Sequence, residues 1–397
     1  MIDAPTANAT QPTDTVRTPW IAVACLSLMT FSLIASEFMP VSLLTPIAAD
    51  LGVTEGQAGQ AISISGFFAV VTSLFGNALL ARWDRRSAVL LYTAILVVSG
   101  LVITFAPDYL LFLVGRALIG VSIGGFWSLS TAIVARLAHG ADMPKALAML
   151  QGGTALASVI AAPLGSFLGG LIGWRGAFFI VVPIGIAGIV WQLVSLPKLP
   201  PETSVSVRSM FALLGNGVFT LGTLATALAF MGQFAASTYF RPFLEGVAGL
   251  DVNQLSLALL GLGVAGLVGT MLSGSLLRDH LKALLIGLPA VMALVALLLI
   301  PLGALPIAVA VLLLAWGFVG NPIPVAWGTW MTRIIPRDLE AGGGLQVAVI
   351  QFAITFGAFS GGLLFDLSGW WSPFILSSVL LAVSAVLAAM VARKGVA

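Results

Sequence analysis

Twelve apolar stretches, each long enough to cross a bilayer as a helix, leave this chain almost nowhere to place a water-soluble fold. They run near residues 20–46, 57–81, 87–105, 110–135, 146–171, 176–195, 212–241, 254–277, 283–303, 307–332, 342–366 and 370–392. Crossing a hydrocarbon core of about 30 Å takes about 20 residues at 1.5 Å each. Only 8% of the 397 residues are charged, against roughly a quarter in a soluble domain. No gap is long or polar enough for a separate soluble domain. The expected fold is an all-α membrane protein with 12 transmembrane helices in two six-helix bundles. The longest polar piece in the middle, "SLPKLPPETSVSVRS" from Ser195 to Ser209, reads as a linker because of its prolines and hydroxyls. The chain then divides into one bundle over 1–195, a cytoplasmic linker over 196–210 and a second bundle over 211–397.

Basic residues set the expected orientation. With a cytoplasmic N-terminus, the cytoplasmic segments hold Arg17, the loop Arg82, Arg85 and Arg86, then Arg136, Lys145, Lys198, Arg208, Arg278, Lys282, Arg333, Arg337, Arg393 and Lys394, or 14 of the 17 Lys and Arg. The other side holds Arg175 and Arg241, while Arg116 lies within a helix. The positive-inside rule then puts both termini in the cytoplasm. Most of the acids away from the basic loops fall on the opposite face, at Asp50, Glu55, Asp108, Glu245, Asp251 and Asp366. The polar first 19 residues and the long apolar run behind them read as a retained first helix rather than a cleaved signal. The single Cys25 excludes an internal disulfide. The net charge of +2 is a topology signal and gives no reason to expect a nucleic-acid partner.

A shift of 196 residues superimposes one half on the other. "GSFLGGLIGW" (165–174) falls on "GGLLFDLSGW" (361–370), and "RWDRR" (82–86) on "RDHLK" (278–282). The small residues Ala157, Ala161, Gly165 and Gly169 fall on Ala353, Gly357, Gly361 and Phe365. Such ridges let helices approach closely in lipid, where apolar burial gives no drive to associate. The same shift puts Glu37-Phe38 on Gln233-Phe234. Parallel repeats of this kind place a substrate site near the midplane between halves.

"GRALIGVSIGGFW" (115–127) resembles the fourth-helix motif of the major facilitator superfamily, and "AAPLGSFLGGLIGWR" (161–175) its fifth-helix antiporter motif, with Ala162 where a glycine is usual. "EFMPVSLLTPIAADLGVTEGQAGQ" (37–60) is similar to the drug-and-sugar proton antiporter branch. "MGQFAASTYFRP" (231–242), "VAWGTWMTR" (325–333) and "LQVAVIQ" (345–351) resemble the members of that branch that export purine ribonucleosides. The resemblance covers nearly the whole chain. It implies export of nucleosides such as inosine or guanosine, driven by inward proton flow through alternating access. Between the second and third runs the superfamily usually has an aspartate followed by R-x-G-R-R. Here Ala81 and Asp84 replace the aspartate and the glycine, while Arg82, Arg85 and Arg86 remain. That puts the usual gating salt bridge of the loop in question, with Asp84 as its substitute.

Two ionisable groups lie well inside the apolar runs, Glu37 and Arg116. A charge at the bilayer centre costs at least about 2.5–3.5 kcal/mol, so such groups face a cavity or a partner. Glu37 lies seventeen residues past the start of the first run, or roughly 25 Å along its axis, past the midpoint toward the outer face. It is the expected proton-coupling acid; the bland reading is a structural carboxylate that caps a neighbouring helix. Arg116 shares a face with Gly120, Gly124 and Ser128. Its charge either tunes the proton site, as the resemblance implies, or clamps backbone carbonyls between helices.

Uncharged groups carry the substrate expectation. Gln233, Asn321, Gln346 and Gln351 offer amide donors and acceptors suited to base edges and ribose hydroxyls. Trp127, Trp327 and Trp330 are rings on which a purine stacks, with packing or interface anchoring as the alternative for each and especially for Trp330. Phe38 is adjacent to Glu37 and completes the candidate set. Pro322 and Pro324 loosen the helix around Asn321, and broken backbone at membrane depth lines a cavity or is buried in protein. His139 and His280 fall in loops, and no Cys or His cluster has metal spacing. No phosphate loop, dinucleotide fingerprint or catalytic triad appears, which argues against an ATP-driven pump and against an enzyme. The expectation is a monomeric carrier for a small molecule and protons in a lipid bilayer, with no cofactor. Sugar or drug export by the same branch is the near alternative. A non-transporting membrane sensor is the distant one, for which the chain offers no attached soluble domain.

Overall fold

The computed structural model describes residues 18–80, 82–139, 142–201 and 207–393, with the side chains at 77, 78, 128, 144, 274–278 and 340 excepted. Arg17, Ala81, Lys394 and residues 202–206 of the expected linker lie outside the described residues, as do the side chains of Ser128 and Arg278. The helices in chain order are α1 (Trp20–Leu51), α2 (Glu55–Leu79), α3 (Arg85–Thr104), α4 (Tyr109–Leu137), α5 (Met143–Phe179), α6 (Val181–Ser195), α7 (Val207–Ala212), α8 (Gly217–Ser237), α9 (Phe240–Gly246), α10 (Val252–Leu302), α11 (Pro306–Gly320), α12 (Ile323–Ile334), α13 (Leu339–Ser368) and α14 (Ser372–Arg393).

Eleven helical segments among the described residues are long and apolar enough to span a membrane. One of them, Lys145–Ser195, has 51 residues. At 1.5 Å per residue it is roughly 77 Å long, more than two bilayer cores. Gly173 breaks it, with φ +74, a left-handed value that favours glycine. Counted on either side of that break, the crossings number twelve. α10, also 51 residues long, folds back at His280, where φ is −125 and ψ 25. One crossing consists of α11 and α12, interrupted at Asn321-Pro322, as the prolines dictate.

The acids gathered at one end have a local cause. Asp108 caps α4 by accepting from Leu111 N, and Asp251 caps α10 in a capping box with Gln254. Even-numbered crossings begin at this end, so their free N–H groups and positive dipole ends collect carboxylates. α2 is capped by its own Thr54, which accepts from Gln57 N at 3.0 Å while Gln57 Oε1 accepts from Thr54 N, and it is capped further from the other half of the chain. Asp366 near the end of α13 accepts from Thr54 Oγ1 at 2.7 Å and from Gly56 N at 3.2 Å.

Two apolar cores form, one from α1 to α6 and one from α8 to α14. Each lends one side chain to the other: Ile62 of α2 joins the second core, and Tyr239 joins the first. Between the cores the 196-residue shift becomes geometry. α2 meets α13 at Gly56 with Asp366, Gln60 with Gly362 and Gly66 with Thr355. α5 meets α10 at Gly170 with Val252, Ser166 with Ser256 and Val159 with Gly263. Adding 196 to the α5 numbers gives 366, 362 and 355, the α13 partners.

These pairs lie from the acidic end to mid-helix. The same register would set Thr270 opposite Gly152 and Leu79 opposite Gly343. Yet a Cβ on either glycine would meet nothing within 4 Å, and Leu79 is 83% exposed. The halves are therefore joined at the acidic end and spread apart toward the basic end.

Candidate functional site

The site begins with two prolines in α1. A proline inside a helix has no N–H to give the carbonyl four residues earlier. Pro40 thus frees the Ser36 carbonyl and Pro46 frees that of Ser42. Inside a bilayer such groups need a donor. Arg116 Nη1 donates to Ser36 O at 2.8 Å, and Arg241 Nη1 of α9 donates to Ser42 O.

Arg116 is fully buried. It also donates from Nε to Ala61 O at 3.1 Å, and from Nη2 to Glu37 O at 2.9 Å and to Ser65 Oγ at 3.1 Å. It reaches α2 because the next two turns of α4 present glycine. A Cβ on Gly120 would lie 2.1 Å from Ser65 O, and one on Gly124 would lie 2.3 Å from Ala69 O. The guanidinium clamps three carbonyls and so serves the structural reading directly. It also keeps a fixed charge beside Glu37, but bonds that residue's backbone and not its carboxylate.

Glu37 is 1% exposed. It is the eighteenth of 32 residues in α1, so it sits at mid-helix. The expectation of a position toward the outer face is corrected, because α1 continues to Leu51. Its Oε1 accepts from Gln351 Nε2 of α13 at 3.2 Å. Its Oε2 is buried with no hydrogen-bond partner among the described residues. Gln351, 4% exposed, is fixed in turn because its carbonyl accepts from Thr355 Oγ1 at 2.8 Å, and Thr355 fills the space over Gly66 of α2. The acid of the first half thus ends on an amide of the second.

The repeat places Gln233 opposite Glu37 in sequence, but the two are not bonded. Gln233 Nε2 lies against Gly320, and Gln233 Oε1 is buried without a partner among the described residues. Phe38 stacks on Phe234, with centroids 5.4 Å apart and planes at 26°. These two rings are repeat equivalents in contact, which marks the pseudo-twofold axis between the halves. Phe38 is thereby engaged across the halves.

The remaining candidates are scattered. Trp327 is 1% exposed within the second core and meets Trp330 edge-on at 5.3 Å. It is a packed core ring with no free face, a correction to the stacking role. Trp330 lies parallel to Phe219 at 6.0 Å and covers Gly222. With Gln346, Thr223 and Thr226 it lines a narrow crevice. Trp127 lines another narrow crevice in the first half with Thr30 and Ile34. Thr30 and Thr226 are repeat equivalents, so the two crevices lie between matching helices. Asn321 stands at the helix break, but its amide packs on Gly266 of α10, away from Glu37's partners.

The basic loop is tied to the start of the linker. Asp84 accepts from Arg86 N and Ser87 N and caps α3. Arg85 N donates to Leu199 O at 2.8 Å, Arg86 Nη2 to Leu193 O, and Arg136 Nη1 to Pro200 O at 2.8 Å. Arg82 is exposed. Asp84 therefore serves as a helix cap in this arrangement. Among the described residues no cluster of three or more His, Cys, Asp or Glu is arranged to hold a metal.

Sequence reasoning missed Arg241, Ser36, Ser65 and Asp366. The signal for Arg241 was the second proline of α1, since each proline requires a donor from elsewhere.

Comparison with known proteins agrees with this architecture. The profile of the Major Facilitator Superfamily matches residues 26–339. The chain is 48% identical over 379 residues to the transcription regulatory protein OpdE of Pseudomonas aeruginosa, with 94% of each chain covered. It is 42% identical over 377 residues to the purine ribonucleoside efflux pump NepI of Salmonella enteritidis, with 95% of each covered. The same figures hold for NepI of Salmonella typhimurium.

Proposed function

Because the chain belongs to the major facilitator superfamily, we propose that it is a proton-coupled antiporter that exports purine ribonucleosides such as inosine or guanosine. The observation that carries this reading is the carboxyl of Glu37, buried at mid-helix with one oxygen on Gln351 of the other half and the other oxygen buried without a partner among the described residues. An acid held between two halves that rock about it is a group through which alternating access can exchange a proton. The substrate class rests on the efflux pumps that are 42% identical over 95% of the chain. Gln233, with an unpartnered buried oxygen, and the Phe38–Phe234 stack are where a purine would be held. Gln346 and Trp330 in one crevice and Trp127 in the other form secondary contacts. We take the basic end as cytoplasmic, with both termini there, and the carrier as a monomer without cofactor in a bacterial inner membrane. The two bundles would be joined by a cytoplasmic linker at 196–210.

Everted vesicles containing the protein should accumulate labelled inosine when their interior is acid, and lose that uptake when the gradient is collapsed. Movement of sugars or dyes but not inosine would transfer the reading to the other substrates of the branch. The 48% identical relative is named as a regulator, which favours a second reading as a membrane sensor. A sensor would move none of these solutes under either condition.

A further inference from the structure

We propose that Gln351 is the residue through which the second half senses the state of Glu37, and that their hydrogen bond holds the two halves in the arrangement seen here. The inference rests on the proton-coupling reading above and adds the partner that makes it mechanical. The Glu37 backbone belongs firmly to the first half, since Arg116 bonds the carbonyls of Ser36, Glu37 and Ala61. Gln351 belongs to α13, which Thr355 seats against Gly66 of α2. The Nε2–H···Oε1 bond at 3.2 Å therefore joins the halves at the level of the acid, while the contacts of Asp366 and Arg241 join them nearer the acidic end.

An ionised carboxylate only accepts hydrogen bonds, and a bond to it is roughly twice as strong as a neutral one. A proton arriving at the unpartnered Oε2 leaves a neutral acid whose bond to Gln351 is correspondingly weaker. A purine ribonucleoside offers ring N–H and ribose O–H donors to the same oxygen, and there it competes with the proton. Either arrival loosens the link between halves. With neither, the charged acid grips Gln351 and the carrier stays closed at the acidic end. That condition is what makes exchange obligatory and prevents an empty carrier from leaking protons. At the depth of Glu37 no other titratable side chain faces this bond; the Asp366 and Glu245 carboxylates lie nearer the acidic end. α4 presents only Arg116, at the backbone. α9 presents Arg241 with Glu245, at Ser42. α5 offers no charged residue between Lys145 and Arg175, α6 none in its length, α2 none beyond Glu55 and α13 none between Glu340 and Asp366.

The test uses the full chain in phosphatidylethanolamine–phosphatidylglycerol vesicles, with Cys25→Ala and spin labels on cysteines replacing Leu110 and Ile307. Both are exposed, on the first turns of α4 and α11 at the acidic end. Without substrate, the wild-type chain should gain a longer inter-label distance on acidification from pH 8 to pH 5, its population rising about fivefold or more, as expected when a charged hydrogen bond becomes neutral. Gln351→Met should show that population already at pH 8, with little further response. Gln351→Asn, which keeps the amide but shortens it, should act in the same direction and stands in if Met is not tolerated. In a Glu37→Gln background, Gln351→Met should change much less, since only a neutral bond is left to lose. A wild-type pH response in Gln351→Met or Gln351→Asn overturns the proposal. So does a Gln351→Met shift of equal size with and without Glu37, which would mark Gln351 as a packing residue. Adding inosine at pH 8 should raise the same population. Loss of that response alone, with the pH response intact, overturns the nucleoside assignment and leaves the role of Gln351 standing.

Discussion

The two halves run the same helices in the same register and differ in what they bury. At 37, 40 and 116 the first half has Glu, Pro and Arg; 196 residues on, the second half has Gln233, Ala236 and Leu312. The proline and the arginine are present together and absent together. That is the lesson of the comparison. Arg116 is there because Pro40 frees a carbonyl in a place without water, and α8 has no freed carbonyl at the equivalent turn. Once the arginine is present, the first half holds a fixed positive charge, and a carboxyl beside it is tolerated. The second half has neither and supplies neutral amides. At the depth of Glu37, charge sits on one side of the axis and hydrogen-bonding neutrality on the other, and Glu37 with Gln351 is where they meet.

Removing the arginine should give the largest effect. Arg116→Met leaves the Ser36 carbonyl without a donor and removes the second bond of the Ala61 and Glu37 carbonyls, which keep their helical N–H partners. At about 1–3 kcal/mol for the unsatisfied carbonyl and about 1 kcal/mol for the other lost bonds, it should lose about 3 kcal/mol of stability. Melting in detergent should show this as a large drop in midpoint, whereas the matching Leu312→Met in the second half should hardly move it. Pro40→Ala then sharpens the comparison by making α1 like α8. It returns the missing N–H to Ser36, so Pro40→Ala should recover about 1 kcal/mol in the Arg116→Met background and little alone. Additive effects of the two substitutions would show that the proline and the arginine are unrelated.

A smaller effect is expected at the acidic end. Asp366→Ala removes the cap that the second half gives α2, worth about 1 kcal/mol. Hydrogen exchange of the first turn of α2 should speed up, while that of α10, capped by its own Asp251, stays as it was. Smallest of all should be Trp327→Phe. Its ring is packed inside the second core, so inosine transport should change less than about twofold while the melt falls by about 1 kcal/mol. A loss of transport without a loss of stability would return Trp327 to the binding site.

The fold was open to sequence reading because the bilayer leaves few choices. Run lengths, basic loops and a fixed repeat gave twelve crossings, and Gly173 and Asn321-Pro322 gave two of the breaks. The repeat aligned Phe38 with Phe234, which the structure brings into contact, but it gave no sign that Gln351 would be the partner of Glu37. The reason is physical. A helix apolar all round carries no stripe that tells which face turns inward. The rotation of α1 and α13 is decided by glycine ridges and by freed carbonyls, and the two bonded residues are 314 apart in the chain. Trp327 misled for the same cause, since a tryptophan in a greasy run looks alike whether it faces a cavity or a core.

The central claim is that Glu37 carries the coupled proton. Glu37→Gln keeps the shape and a hydrogen-bonding group toward Gln351 and removes the titration. In vesicles preloaded with unlabelled inosine, this variant should still exchange labelled inosine, because exchange moves no net proton. The same preparation should no longer accumulate inosine against its gradient when a pH difference is imposed. Accumulation by Glu37→Gln at the wild-type level, with wild-type dependence on pH, would contradict the account.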